Sequence, residues 1–305
     1  MSLKNVASHG LLIYEDSSAL ERARSATVMQ RQHTLAAQPG ITVVVLNLNK
    51  PELIVPQLEV LTQGRQSFAG LGLGLQVIVG DTGSTDPQVL AAYQQLGDEI
   101  TVVRNLDYHF SACNNICVWD DAVHEYILFL NNDVLLDSVE PILQMYREFE
   151  LGDRQVESGH AVLDATRVGI VGLRLDFPDD RVQHLGIDFL RAGELTGLPY
   201  HPSALAHIPH RPGLSWSSLA TTGAALMVRA DLFAAVGGFD EGYEAECQDV
   251  DLCLAVRRLG YGIRVVDAGP VVHLENATRT RGEESSRDRR LFLRRWGSYL
   301  AVICP

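Results

Sequence analysis

Tyr126-Ile127-Leu128-Phe129-Leu130-Asn131-Asn132-Asp133 is the stretch that decides the fold. Its apolar run has no polar interruption, which reads as a strand buried on both faces, the kind found inside a parallel sheet. The run passes directly into a polar cluster that ends in a carboxylate. Open parallel sheets bind their ligands just beyond the carboxyl ends of the strands, so Asp133 is expected at such a rim. Asn and Asp after a strand also make ordinary turns, and this stretch alone does not separate the two readings.

Working upstream, three more buried-strand patterns end in the same way. Ile41–Leu48 closes on Asn47 and Asn49, Leu75–Val79 is followed by Asp81, and Ile100–Val103 is followed by Asn105. Helix-like stretches separate them, at Pro51–Thr62, Pro87–Leu96 and Phe110–Asp121, with Pro56 expected to kink or delay the first. Gly64–Gly74 reads as a loop. Strand–helix alternation at this spacing implies βαβ units, a mostly parallel central sheet and helices on both faces. Four polar strand ends on one edge are better explained as one ligand site than as four unrelated turns.

Downstream, strands are expected at Val168–Leu175, Ala220–Val228 and Ile263–Val266, with helices at Asp231–Val236 and Asp249–Leu259. The second of these helices carries acids in its first turn and Arg257 and Arg258 in its last, matching the helix dipole. Arg279–Trp296 is expected to be helical. Its apolar side, Leu291, Phe292 and Trp296, is expected to pack on the domain. The alternative is a peripheral contact with an anionic membrane surface holding a lipid-linked acceptor. Residues 1–39 read as a helical extension, with a helix from Ser18 to Gln38 stopped at Pro39-Gly40, and residues 40–300 as one domain.

Composition narrows the function classes. The net charge is −13, from 38 acids against 25 bases, which argues against a nucleic-acid binder. No apolar run approaches the roughly 18 residues of a membrane span, and the first residues lack a secretory-signal layout. The 5 cysteines form no C-x-x-C pair and read as reduced structural thiols of a cytoplasmic protein. His201, His207 and His210 lie in a Pro-rich loop and read as loop histidines or acceptor contacts. They are not expected to form a zinc site, because no cysteine stands nearby.

The loop Gly80-Asp81-Thr82-Gly83-Ser84-Thr85-Asp86 has the character of a nucleotide-binding turn. Asp81 could accept from a base N–H or a ribose hydroxyl, Gly83 allows close backbone approach, and Asp86 should cap the helix starting at Pro87. The loop is neither a Walker loop nor G-x-G-x-x-G, and it lacks the second Asp of a D-x-D-x-T phosphatase.

The order of motifs over roughly residues 41–300 resembles glycosyltransferase family 2, nucleotide-sugar-dependent transferases of the GT-A fold. The Asp81–Asp86 turn is similar to the family's nucleotide turn, and Asn131-Asn132-Asp133 to its variant of the D-x-D metal motif. Thr222-Gly223-Ala224, followed by Val228-Arg229 and Gly237-Gly238-Phe239-Asp240-Glu241, resembles its acceptor-side signature. Gln248-Asp249-Val250-Asp251-Leu252-Cys253-Leu254 resembles its E-D-V-D-L-C-L helix start. His273-Leu274-Glu275-Asn276-Ala277-Thr278-Arg279 and Val182-Gln183-His184-Leu185-Gly186 resemble a bacterial rhamnosyltransferase-like subgroup linked to surface polysaccharides.

The resemblance implies an inverting hexosyl or deoxyhexosyl transfer from a nucleotide-diphosphate sugar donor to a saccharide or lipid-linked acceptor. It assigns the metal, Mn²⁺ or Mg²⁺, to Asp133 and His273, and the base to Asp249 with Asp251 as alternative. The nucleotide falls to Asn47, Asn49, Asp81, Gly83, Asn105 and Asn132, and the acceptor to Gly223, Gln248 and His184. Arg279 and Arg281 would close over the diphosphate. Gln248 stands where the family usually has Glu, and Ala255 where Arg is common. Two rivals remain at this stage: a catalytically silent nucleotide-sugar-binding module, for which Gln248 is the support, and a sugar-1-phosphate nucleotidylyltransferase. The latter should show a Gly-rich basic loop after the first strand, which Leu48-Asn49-Lys50-Pro51 is not.

Overall fold

The computed structural model describes residues 38–157, 167–193, 195–275 and 286–304. The expected N-terminal helix and both Arg279 and Arg281 lie outside the described residues.

The first half alternates as expected: β1 (Gln38–Asn47), α1 (Pro51–Gln63), α2 (Arg65–Ala69), β2 (Gly74–Asp81), α3 (Pro87–Leu96), β3 (Thr101–Val103), α4 (Phe110–Asp121) and β4 (His124–Leu130). The middle is made of short pieces: β5 (Val134–Leu135), α5 (Glu140–Glu157), β6 (Val168–Leu173), β7 (Leu175–Asp176), β8 (Val182–His184), β9 (Asp188–Phe189) and β10 (Pro199–Tyr200). It is followed by β11 (Ser215–Ser218), β12 (Ala225–Arg229), α6 (Ala230–Val236), α7 (Gln248–Arg258), β13 (Gly262–Val266), β14 (Val272–His273) and α8 (Ser286–Ile303).

The main sheet has the order β11-β13-β6-β12-β4-β1-β2-β3. β1 pairs in parallel with β2 and β4, β2 with β3, and β13 with β6. Only β11 and β12 oppose their neighbours. Both faces are covered, which is why these strands read as unbroken apolar runs. Ile41, Val43 and Val45 enter one core with Leu58 of α1, Val89 of α3 and Ile142 of α5. Val44, Ile78, Ile127 and Phe129 enter the other with Phe233 of α6, Leu254 of α7 and Trp296 of α8. Each such buried side chain contributes about 1.5–3 kcal/mol relative to exposure.

Local chemistry sets the element ends. Asp86 caps α3, its Oδ1 accepting from the Gln88 amide at 2.8 Å and the Val89 amide at 3.4 Å, and Pro87 fills the first helical position. α1 runs unbroken through Pro56, contrary to the expected kink. Pro56 and Glu52 are both exposed, so water can serve the carbonyl that the missing N–H leaves behind. Part of the expected loop Gly64–Gly74 is the short helix α2, which buries Phe68 completely.

The strand expected at Ala220–Val228 begins only at Ala225 and runs against the sheet. Ala225 lies opposite Leu130, so the start of β12 stands beside the end of β4. The residues before it, Thr222-Gly223-Ala224, are thereby delivered to the carboxyl edge of the parallel strands. The Asn131 amide donates to the Ala224 carbonyl there at 2.8 Å.

A second, four-stranded sheet of order β5-β14-β7-β8 sits at the same edge. In it His273 is paired opposite Val134, and the Leu274 amide donates to the Asp133 carbonyl at 3.0 Å. Residues more than a hundred positions apart become neighbours through these few ladder bonds.

Candidate active site

A cleft of about 390 Å³ opens at this edge. Asn47, Thr82, Tyr108 and Phe110 line one side, Asn131, Asn132 and Asp133 the floor, and Gly223, Gln248, Asp249, His273 and Glu275 the other side. The structure therefore brings together, around one space, Asn47, Asn132, Asp133, Gly223, Gln248, Asp249 and His273 of the residues singled out in the sequence.

Below the nucleotide-side lining, a chain of hydrogen bonds ties three strand ends together. Asn132 Nδ2 donates to Asn47 Oδ1 at 2.8 Å, Asn47 Nδ2 donates to the Tyr93 hydroxyl at 2.9 Å, and that hydroxyl donates to Asp81 Oδ2 at 3.1 Å. Burial, then the Asp81 carboxylate, pushes the Tyr93 phenol well above its usual pKa, so it stays a donor. The Gly83 and Ser84 amides meet the other oxygen, Asp81 Oδ1, at 3.1 and 2.9 Å. Asp81 is fully buried and stands behind the lining, holding the turn whose Thr82 faces the cleft.

Gly83 has φ +104°, and an added Cβ would meet nothing within 4 Å, so its glycine answers a backbone need rather than a close approach within the chain. Asn49 holds the same turn from the β1 side, its Oδ1 accepting from the Thr85 and Asp86 amides at 2.9 Å each. Asn105 is exposed, with left-handed φ 60°, and does not line the cleft.

Asp133 and His273 face each other, with Nε2 3.1 Å from Oδ1. Gln183 clasps His273 twice: its Nε2 donates to the His273 carbonyl at 3.1 Å, and its Oε1 stands 2.6 Å from the ring Nδ1. The first bond fixes which end of the amide is oxygen, and the second then requires a proton on Nδ1. In the neutral ring this leaves the Nε2 lone pair turned toward a carboxylate oxygen.

A cation shared between the two would join them. A carboxylate and an imidazole at this spacing, with the ring held from behind by an amide, form a plausible donor set for a divalent ion. Among the described residues no group of three or more His, Cys, Asp or Glu side chains gathers to hold a metal. Any remaining ligands would be waters and substrate oxygens, as is usual for Mg²⁺. Gln57 of α1 supports the turn below, donating to the Asn131 and Val134 carbonyls at 2.8 and 3.1 Å.

Across the cleft, Asp249 opens α7. Its Oδ2 accepts from the Gly223 amide at 2.8 Å, and its Oδ1 from the Val250 amide at 2.8 Å. The preceding Cys247 holds left-handed φ 71°, a strained conformation for a residue with a side chain, and this sets the angle at which α7 enters. Gln248, 7 % exposed, lines the cleft with its Oε1 buried and without a hydrogen-bond partner.

The expectation that Asp251 could stand in as the base is corrected by the structure. Asp251 is fully buried on the far side of α7, where its Oδ1 accepts from the Tyr243 hydroxyl at 3.1 Å, Arg295 at 2.8 Å and Trp296 Nε1 at 2.7 Å. His184 is also absent from the lining. Its ring lies 2.9 Å from the Thr221 hydroxyl and 3.0 Å from His201, under the Thr221–Gly223 segment. Burial, with His201 and His273 adding to it, drives the His184 pKa well below the usual value and keeps the ring neutral.

Sequence reasoning missed Gln183 and Gln57 as site-building residues, and Thr82, Tyr108 and Phe110 as lining. Gln183 carried one available signal, its place inside the Val182–Gly186 string.

No protein-family model matches the chain. It is 27% identical over 259 residues to O-antigen biosynthesis protein RfbC of Myxococcus xanthus, covering 81% of this chain and 18% of that one. It is 39% identical over 174 residues to rhamnosyltransferase WbbL of Escherichia coli (strain K12), covering 54% of this chain and 61% of that one. The chain thus spans less than two thirds of the length of the curated relatives it matches.

Among solved structures, GalNAc-T7 with UDP, GalNAc and Mn²⁺ superposes with a TM-score of 0.55 at 12% identity, over 85% of this chain and 48% of that one. Mannosyltransferase PcManGT of Pyrobaculum calidifontis, in complex with GDP-Man and Mn²⁺, gives 0.52 at 15% identity, over 93% and 74%. The fold is that of the GT-A glycosyltransferases, and in sequence the chain resembles the rhamnosyltransferase-type members of glycosyltransferase family 2.

Proposed function

We propose that the chain is a glycosyltransferase of surface-polysaccharide synthesis. It would move a sugar from a nucleotide-diphosphate donor to a saccharide or lipid-linked acceptor, with inversion and with a divalent metal. The observation that carries this reading is that the Asp133–His273 pair and the Asp249 carboxylate line one cleft.

In this reading Asn47, Thr82 and Asn132 face the nucleotide, over the tied strand ends that keep their positions fixed. Asp133 and His273 would hold Mn²⁺ or Mg²⁺, which when bound supplies positive charge for the departing diphosphate. Arg279 and Arg281 follow closely in sequence and would contribute charge-assisted contacts to the same group. Asp249 accepts the proton of the acceptor hydroxyl as that oxygen attacks the anomeric carbon. The Gly223 N–H holds the carboxylate so that it points into the cleft rather than along its own helix. Displacement from the face opposite the leaving group inverts the anomeric centre. Residues 41–135 would form the nucleotide half and 168–275 the acceptor half of one domain.

The test uses the purified full chain with Mn²⁺ and a panel of nucleotide sugars. Donor turnover should fall by about 10²–10⁴-fold in Asp249→Asn, the usual contribution of a general base, while nucleoside-diphosphate binding stays within twofold. Nucleotide binding without turnover across the panel would instead support the silent binding module.

A further inference from the structure

The C-terminal helix α8 makes most of its polar contacts with one segment, the loop 240–247 that leads into Asp249. Asp288, fully buried in the first turn of α8, presents its Oδ2 to three consecutive backbone amides: Glu244 at 3.0 Å, Ala245 at 2.7 Å and Glu246 at 3.1 Å. Three converging N–H groups on one carboxylate oxygen form a backbone nest. Arg287 pairs with Glu244, and Arg289 with Glu246 at 2.9 Å. About two turns further on, Arg295 joins Asp240 to Asp251, and Trp296 donates to Asp251 as well. Phe292, Trp296 and Leu300 anchor the helix in the core.

The loop held in this way ends at Cys247, whose left-handed backbone turns the chain into α7. Gln248 and Asp249 follow directly, and from that entry Asp249 accepts from the Gly223 amide at 2.8 Å.

We propose that α8 is a positioning element for the base, and that Asp288 is its positioning residue. Gathering the 244–246 amides fixes the left-handed turn at Cys247 and so aims Asp249. The inference rests on Asp249 being the base. None of the α8 residues lines the cleft, so α8 acts on the carboxylate's orientation and not on substrate.

The experiment compares Asp288→Ala, which removes the acceptor, with Asp288→Asn, which restores an oxygen of the same reach. The readouts are kcat, donor KM and the affinity for nucleoside diphosphate with Mn²⁺. The expected result is a fall in kcat of tenfold or more in Asp288→Ala, recovery to within about threefold of the parent in Asp288→Asn, and nucleotide affinity within twofold in both. Equal kcat in parent and Asp288→Ala overturns the proposal, as does a loss of nucleotide affinity that parallels the loss of kcat.

If Asp288→Ala does not fold, Arg289→Gln decides. A threefold or larger fall in kcat with unchanged nucleotide affinity supports the proposal, and unchanged kcat overturns it. Hydrogen exchange of residues 247–252 gives a reading without activity: faster exchange in either variant is expected, and unchanged exchange overturns the proposal. A parent that exchanges normally but transfers no sugar from any donor refutes the glycosyltransferase reading instead.

Discussion

Arg174→Met should be among the most costly single changes in the second half of the chain. Arg174 is 2 % exposed. Its Nε and one terminal nitrogen each stand 3.2 Å from Asp176 Oδ1, and its other terminal nitrogen stands 3.2 Å from Asp267 Oδ2. The same guanidinium donates to the Pro209 and Ile208 carbonyls at 3.2 and 2.5 Å, pinning that loop to the sheet. Methionine matches the stem but leaves two buried carboxylates with His210 as their remaining side-chain partner, and frees two carbonyls. Breaking a buried pair by removing one member costs about 3–5 kcal/mol, and a guanidinium serving two acids belongs at the upper end. In a chain of this size that is a fall in Tm of about 6–8 °C.

The loss should depend on pH. Burial, outweighing Arg174, already raises the Asp176 carboxyl above its ordinary value. A carboxyl whose folded pKa lies above its unfolded pKa costs stability at high pH, and the cost is relieved as pH falls through the folded value. Without Arg174 the Asp176 pKa climbs further, so the penalty should be largest at pH 7.5 and smaller at pH 5.5. Asp267 is pushed up by burial, but the Arg211 amide, His210 and the Gly269 amide outweigh this and hold it low. Its contribution is present above the unfolded value and fades only at more acid pH, outside this window. Urea unfolding followed by tryptophan fluorescence at both pH values measures the difference. A loss below about 1 kcal/mol at pH 7.5, or an equal loss at both, would refute the reasoning.

Two further outcomes are expected. An added Cβ at Gly223 would lie 3.2 Å from both Asp249 Cβ and Phe110 Cζ, so Gly223→Ala should displace the carboxylate by a few tenths of an ångström. About tenfold lower turnover is expected, as one misplaced reacting group can cost up to about 10²-fold, with little change in melting temperature. The buried thiols should be inert in the native protein: burial pushes Cys117 up to about 12, and Cys113, Cys247 and Cys253 are raised by the same cause. With Ellman's reagent at pH 8, half-buried Cys304 should react first, and the four others only after denaturation. Rapid reaction of all five in the folded protein would contradict the packing.

The first half of the chain was legible because its strands are covered on both faces and its turns carry their own chemistry. The unbroken apolar runs at β1, β2 and β4 and the Asp86-Pro87 helix start need no distant partner to be read. The second half was less legible because its geometry is set by pairings between remote residues. That Gln183 would clasp His273 depends on four short strands assembling in the order β5-β14-β7-β8, and none of them has a periodicity to detect. The reversal of β12 was likewise hidden, because a buried strand reads the same in either direction. Asp251 was a different kind of error. Two residues along a helix turn the side chain by about 200°, so Asp249 and Asp251 could not have faced one cleft, and the sequence already contained that fact. The side chains of α8 packed inward, as expected, with Phe292 and Trp296 buried. Among the described residues no helix is long and apolar enough to cross a membrane.

The backward run of β12 has an evolutionary consequence. Because it enters the sheet where its neighbours leave it, the rim receives chain from both directions. Exposed turns of the excursion between β6 and β12, such as residues 178–180, can therefore change in length without shifting the Ala225–Leu130 register. Change is free to proceed in such turns, while Gln183 and Gly223, which lie in the same excursion and hold His273 and Asp249, tie the rest of it to the cleft.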